Sequence, residues 1–223
     1  MSVWAVLAAA GRGERLGSDR PKAFARLGGR PLLAESLERL EDSDWIDAIV
    51  IAAPPEWEEP SILVAEELGA GKVNACITGG DSRSESVRLA LTEVPEEAAV
   101  VLVHDAARPL LPEEVIERVL APLGEGWDGV VPALPLADTV KRLEDHRVVE
   151  TLPRGQLVAV QTPQAFVAAV LREALTGDLS QATDCSSLVE ARGGHVKAVD
   201  GDPRLLKVTD AEDLAQVESW LAE

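Results

Sequence analysis

The chain has 223 residues, 46% hydrophobic and 27% charged, enough to bury a sizeable core beneath a solvated surface. Its formal net charge of −18 argues against general nucleic-acid binding, which needs a basic face. No apolar run approaches the ~20 residues of a membrane-spanning helix, and Cys76, Cys185 and three scattered histidines have neither disulfide nor metal-site spacing.

The first element is VWAVLA (3–8), a strand buried on both faces. The run VWAVLAAA resembles a signal peptide in hydrophobicity, but no basic segment precedes it and a Gly/Arg loop ends it. A cytoplasmic protein is expected. Strands follow at AIVIAA (48–53), VNACIT (73–78), VVLVHD (100–105) and GVVPAL (129–134). Between them, 31–41, 55–69, 84–94 and 112–123 repeat apolar residues at helical spacing. Pro31 and Pro112 suit a first helical turn, and Gly69 suits a helix stop. Strand–helix alternation of this kind predicts an α/β fold with a doubly wound, mostly parallel sheet.

After residue 134 the alternation stops. Residues 135–161 contain short β-type runs broken by EDH and PRG, and predict a projecting β-ribbon arm. Such a ribbon has too little core to stand alone, so it is expected to pack on another subunit. Helices at 164–175 and 183–192, a strand at 195–199 and a closing helix at 210–222 complete the prediction. With neither repeats nor linkers, residues 1–223 read as one domain that includes the arm.

Three polar clusters fall at carboxyl ends of strands, where open α/β sheets bind ligands. In AAAGRGERLGSDRPKAF (8–24), Gly11 and Gly13 let backbone N–H groups approach phosphate oxygens, while Arg15 and Lys22 can flank a phosphorus. Residues 1–30 hold six Arg/Lys against two acids, which favours a compact anion such as a polyphosphate. Leu16 breaks the GxGxxG fingerprint and no GK[ST] follows, so this is neither a dinucleotide loop nor a Walker loop. In TGGDSRSESV (78–87), Ser84 or Ser86 starts a helix beside Gly79 and Gly80, suiting a base or ribose or serving only as a turn and cap. In VHDAARPLL (103–111), Asp105 suits Mg²⁺ or sugar hydroxyls and Arg108 an acceptor phosphate. The competing reading is a buried Asp–Arg ion pair, and His104 reads as a packing residue.

Together AAAGRGERLG…RPKAF, GGDSRSESV, VHDAARP, ADTVKR, TPQAF and LLKVTDAEDL closely resemble the 2-C-methyl-D-erythritol 4-phosphate (MEP) cytidylyltransferase family, over essentially the whole chain. The resemblance implies a Rossmann-like nucleotidyltransferase that joins MEP and CTP, with Mg²⁺, into 4-diphosphocytidyl-2-C-methyl-D-erythritol and pyrophosphate. It implies that Arg15 and Lys22 stabilise the transition state, and that Ala9, Ala10, Gly11, Arg12 and Gly13 hold the nucleotide's phosphate side. It gives Gly80, Asp81 and Ser86 to cytosine and ribose, and Asp105 and Arg108 to ribose, metal or MEP. Arg154 and Lys207 would hold MEP for attack with Thr139 nearby, Thr139 and Arg154 serving the neighbour's site in a homodimer.

The sequence departs from the family at Leu205, where an asparagine often precedes the LKVT segment, and at Pro203-Arg204. A sister cytidylyltransferase acting on ribitol 5-phosphate shares most of these motifs. A non-catalytic nucleotide sensor would be expected to lose Arg15 or Lys22. A nicotinamide-dependent oxidoreductase would want an acidic residue where AIVIAAPP ends the second strand.

Overall fold

A computed structural model describes residues 2–11, 13, 16, 20–180 and 182–221. Strand β1 (Val3–Ala8) leads through a two-residue ladder, β2 (Arg26–Leu27) and β3 (Arg30–Pro31), into α1 (Leu32–Glu41). There follow β4 (Ala48–Ala53), α2 (Glu58–Leu68), β5 (Val73–Thr78), α3 (Arg83–Ala90), β6 (Val100–Asp105), α4 (Glu113–Leu120) and β7 (Gly129–Pro135). A hairpin of β8 (Val140–Glu144) and β9 (Arg147–Leu152) precedes β10 (Val158–Val160) and β11 (Gln164–Val167). The chain closes with α5 (Ala168–Ala174), α6 (Cys185–Ala191), β12 (Val196–Asp200) and α7 (Ala211–Leu221).

The main sheet runs β7–β11–β6–β1–β4–β5, with β10 and β12 also paired to β7. The pairs β6–β1, β1–β4, β4–β5 and β12–β7 are parallel, while β10 and β11 run antiparallel to their neighbours. This is the mostly parallel α/β sheet that continuous apolar runs predict. Alternate strand residues feed two cores. Leu7, Ile51 and Leu102 face Leu33, Leu37 and Ile116 on one side. Val6, Val50 and Val103 face Val87, Leu171 and Val189 on the other. A third, smaller cluster sets Val208 and Val217 of the C-terminal segment against Leu27, Leu32 and Leu110.

The predicted helix over 164–175 is corrected: Gln164–Val167 form β11, and only Ala168–Ala174 are helical. A short, wholly apolar run fits a buried strand and a buried helix equally well. Here Ala165 and Phe166 fill the gap between β6 and β7, which leaves neither strand with an unpaired edge. Pro31 and Pro112 cap their helices from one position outside, rather than occupying the first turn. Gly69 stops α2 as predicted, at φ 65. The predicted start of α3 at Ser84 or Ser86 also moves, because Ser82 is the cap: its side chain accepts from the Glu85 N–H.

The ribbon is narrower than 135–161. Its free part is the β8–β9 hairpin, turned at Asp145 and His146 with φ of 47 and 65. Its root, Ala133–Pro135 against Val158–Val160, belongs to the main sheet.

Candidate active site

The carboxyl ends of β1, β5 and β6 open onto one cleft of about 530 Å³. Its first wall is the segment after β1. The Lys22 N–H donates to the Gly11 carbonyl at 3.2 Å, folding the loop back so that Lys22 lines the cleft with Ala9, Ala10, Gly11 and Gly13. Glycine is needed at 13 on two counts. Its φ is +73, and a Cβ there would lie 2.9 Å from the Lys22 Cβ. Arg12 and Arg15 lie outside the described residues.

The second wall is the turn from β5 into α3. Gly79 passes so close to the first wall that a Cβ would lie 2.4 Å from the Ala10 Cβ. The Ser86 hydroxyl accepts from the Gly80 N–H at 3.0 Å and donates to the Ser82 carbonyl at 2.9 Å. Asp81 sits exposed at the rim, its N–H donating to Glu85 Oε2 at 3.1 Å. Gly80, Asp81 and Ser86 all line the cleft.

The floor is an ion triad. Asp105 accepts from Arg83 Nε at 2.6 Å on one carboxylate oxygen and from Lys207 Nζ at 2.7 Å on the other. The ion-pair reading of Asp105 therefore holds with a different partner from the expected Arg108. Burial pushes the Asp105 carboxyl up, but the charges of Arg83 and Lys207 outweigh it and hold the group well below the usual carboxylate range. Burial likewise opposes the charge of Arg83, and Asp105 reverses the effect, leaving that guanidinium firmly protonated.

Beneath the floor the hydrogen bonds have one direction. His104 Nε2 lies 3.0 Å from the Arg108 carbonyl, which can only accept, so this nitrogen carries the proton. Nδ1 is then the acceptor for the Thr162 hydroxyl at 3.2 Å, and Thr162 Oγ1 accepts from the Asp105 N–H at 3.1 Å. Burial holds the His104 imidazole down at about 4, so it is neutral, a packing staple as expected. The Arg108 guanidinium donates to the Leu205 carbonyl and is not among the cleft's lining residues. With the Val208 N–H on the Ala107 carbonyl at 2.8 Å, it ties the 205–208 segment to the end of β6, which brings Lys207 to Asp105.

Thr139 and Arg154 are exposed at the root of the hairpin, Arg154 donating to the Ala137 carbonyl, and neither lines this chain's own cleft. Arg83 is the charged lining residue that sequence reasoning passed over. Its signal was a cation in the first turn of a helix, where the helix dipole disfavours positive charge.

Among the described residues no group of three or more His, Cys, Asp or Glu side chains could cage a metal. The cleft floor does supply one hard oxygen donor, Asp105. That donor set fits a Mg²⁺ held mainly by a nucleotide's phosphates, which asks one or two carboxylates of the protein.

The family model for 2-C-methyl-D-erythritol 4-phosphate cytidylyltransferase matches residues 3–223. The cytidylyltransferase of that name from Saccharopolyspora erythraea is 45% identical over 226 residues, covering 100% of both chains. Its counterpart from Frankia casuarinae is 48% identical over 99% of this chain and 81% of its own. Among solved structures, the Thermus thermophilus enzyme of that name superposes with TM-score 0.79 at 32% identity, covering 100% of this chain and 99% of its own. A 4-diphosphocytidyl-2C-methyl-D-erythritol synthase from Anaerococcus prevotii reaches TM-score 0.85 at 26% identity, with the same coverage. From residue 3 to residue 223, in sequence and in fold, the chain belongs to the 2-C-methyl-D-erythritol 4-phosphate cytidylyltransferase family.

Proposed function

We propose that the chain performs its family's reaction by in-line attack. An oxygen of the MEP phosphate attacks the α-phosphorus of CTP, the bond to the β-phosphate oxygen breaks, and pyrophosphate leaves. No protein nucleophile is needed, so positioning and charge neutralisation supply the rate. The observation that carries this reading is the convergence of Lys22, Asp105 and Lys207 on one cleft between two glycine walls.

In this reading the backbone of Ala9, Ala10, Gly11 and Gly13 receives the CTP phosphates, with Arg12 beside them. Gly80, Asp81 and Ser86 receive cytosine and ribose. Lys22 and Arg15 neutralise the charge that builds on the pentacoordinate phosphorus. Lys207 holds the MEP phosphate, and Asp105 takes the ribose or Mg²⁺, whose chemistry is to neutralise and orient the triphosphate. Arg108 serves MEP through the segment it ties down rather than by contact, since its guanidinium is turned to Leu205.

The working unit in this proposal is a homodimer of single nucleotidyltransferase domains, the hairpin of each lying on its partner. Leu143, Val148, Val149, Val158 and Val160 are all exposed on the hairpin and its root, an apolar surface suited to a second copy. Thr139 and Arg154 would then complete the partner's cleft. No helix among the described residues is long and apolar enough to cross a membrane, and the cytoplasm is the compartment a CTP-consuming reaction calls for.

The test is pyrophosphate release by purified protein with CTP and Mg²⁺, offered MEP and ribitol 5-phosphate in parallel. Release with MEP alone is expected. Release only with ribitol 5-phosphate keeps the mechanism and overturns the acceptor. Silence with both, from folded protein that binds CTP, overturns the enzyme in favour of a sensor.

A further inference from the structure

We infer that Arg83 is a positioning residue for the acceptor side of the site: it fixes the Asp105 carboxylate, and through it the place of the Lys207 ammonium. The inference rests on the reaction proposed above and concerns a residue outside both the nucleotide loop and the acceptor motif.

The geometry is a relay of three side chains. Arg83 Nε holds Asp105 Oδ1 at 2.6 Å, and Lys207 Nζ is held by Asp105 Oδ2 at 2.7 Å. A carboxylate with a cation on each oxygen cannot rotate about its terminal bond without breaking one contact, so the two distances fix one orientation. The Asp105 side chain is 8% exposed, that of Arg83 22% and that of Lys207 40%. Asp105 is thus the most buried of the three, held from behind by Arg83, and Lys207, the most exposed, is the end that meets substrate.

The anchor is itself anchored. Arg83 Nη1 contacts the sulfur of Cys185 at 3.4 Å, and Cys185 is fully buried at the start of α6. Asp184 caps that helix with a capping box and accepts from Gln164 Nε2 at 2.7 Å, which fixes α6 against β11. Thus α3 supplies the cation, β6 the carboxylate, α6 the backstop, and the segment after β12 the lysine. A lysine at 83 could not substitute fully. One compact ammonium on a flexible stem cannot hold both Asp105 and the Cys185 sulfur as the fixed fork of a guanidinium does.

The position is otherwise a poor one for a cation. Arg83 is the first residue of α3, at the positive end of the helix dipole. Its Nη2 is buried without a hydrogen-bond partner among the described residues. Both costs are offset by the Asp105 contact, so the structural reason for an arginine here is the carboxylate it holds.

The test is a double-mutant cycle read as steady-state kinetics with CTP, MEP and Mg²⁺. Wild-type turnover is measured first, and its absence would sink the proposed function, not this inference alone. In active protein, Arg83→Gln is expected to lower kcat/KM for MEP by ~100-fold, the scale of a 1 Å misplacement. Because Asp105 also faces the ribose or Mg²⁺ in the proposed reading, CTP affinity by calorimetry should fall as well, but by less than kcat/KM for MEP. Arg83→Lys should recover part of the loss. Arg83→Gln combined with Lys207→Ala should be no worse than Lys207→Ala alone, as expected of residues acting as one unit. Unchanged kcat/KM in Arg83→Gln would overturn the inference, as would losses that multiply fully in the double variant. If Arg83→Gln does not fold, the same cycle is run with Arg83→Lys, and full additivity there is equally fatal.

Discussion

Gly79→Ala is the sharpest perturbation the fold offers. The added Cβ would lie 2.4 Å from the Ala10 Cβ, 2.9 Å from Ser86 Oγ and 3.1 Å from the Ala53 carbonyl oxygen. Carbon atoms pack at about 3.5–4.0 Å, so the first contact falls short by more than ~1 Å. Ala10 and Ala53 lie on backbone at the ends of β1 and β4, and Ser86 is tied to Gly80 and Ser82, so none can yield by a rotamer change. The two cleft walls must part instead. Overpacking of this kind costs ~1–3 kcal/mol in stability, and a ~1 Å displacement of positioning groups costs up to ~100-fold in rate. Denaturant unfolding and steady-state kinetics on the same preparation should show both losses together, with a raised KM for CTP. A variant with wild-type unfolding midpoint and wild-type kcat/KM would refute the claim that the walls meet at Gly79.

Gly11→Ala should separate ligand approach from packing: its Cβ would meet nothing within 4 Å among the described residues. Stability should stay within ~0.5 kcal/mol while calorimetry shows CTP affinity falling at least ~10-fold; unaltered affinity would remove Gly11 from the phosphate site. His104 should govern acid stability, since burial lowers its pKa from 6.5 to about 4. Above pH 6.5 it is neutral folded and unfolded. As pH falls from there to about 4 the unfolded chain takes a proton that the fold refuses, so stability drops by ~1.4 kcal/mol per unit, ~3 kcal/mol in all. Unfolding midpoints from pH 7.5 to 4.5 should flatten in His104→Asn, whereas a native imidazole titrating near 6.5 by NMR contradicts the burial argument. Leu143 and Val148 face each other across the exposed hairpin. Leu143→Lys with Val148→Glu keeps a favourable cross-strand pair and should convert the proposed dimer to a folded monomer in sedimentation, with turnover reduced; a dimer that persists in the variant would move the interface elsewhere.

The strands of the parallel sheet were legible because residues buried on both faces leave unbroken apolar runs. VWAVLA, AIVIAA and VVLVHD become β1, β4 and β6 with the bounds the sequence suggests. The same feature hid β11. Its QAFV continues into AAVLREA without a polar break, and what makes it a strand is the gap between β6 and β7, a tertiary fact. At the site, sequence motifs bring Ala9 to Gly13, Lys22, Gly80, Asp81, Ser86, Asp105 and Lys207 to one cleft, setting aside Arg12, which is not among the described residues. They could not say which arginine holds Asp105. Arg108 lies three positions away in sequence and turns to Leu205, whereas Arg83, 22 positions away, reaches the carboxylate. Residues on one β–turn segment point their side chains apart, while the N-terminus of α3, which follows a strand three places over in the sheet, aims at the same crevice.

The net charge of −18 and the binding of two phosphorylated substrates conflict only if charge acts at long range. At physiological salt the Debye length is about 8 Å, so exposed carboxylates beyond that distance contribute little inside the cleft. What a phosphate meets there is local. Lys22, Arg83 and Lys207 line the cleft against Asp81 and Asp105, and Asp81 stands at the exposed rim. Asp105 already has a cation on each oxygen, so it presents little free negative charge to an incoming anion. The triad therefore does two jobs with one carboxylate. In the proposed reading it holds Lys207 in place before the acceptor arrives, and it lets the Asp105 carboxylate sit beside phosphates without repelling them.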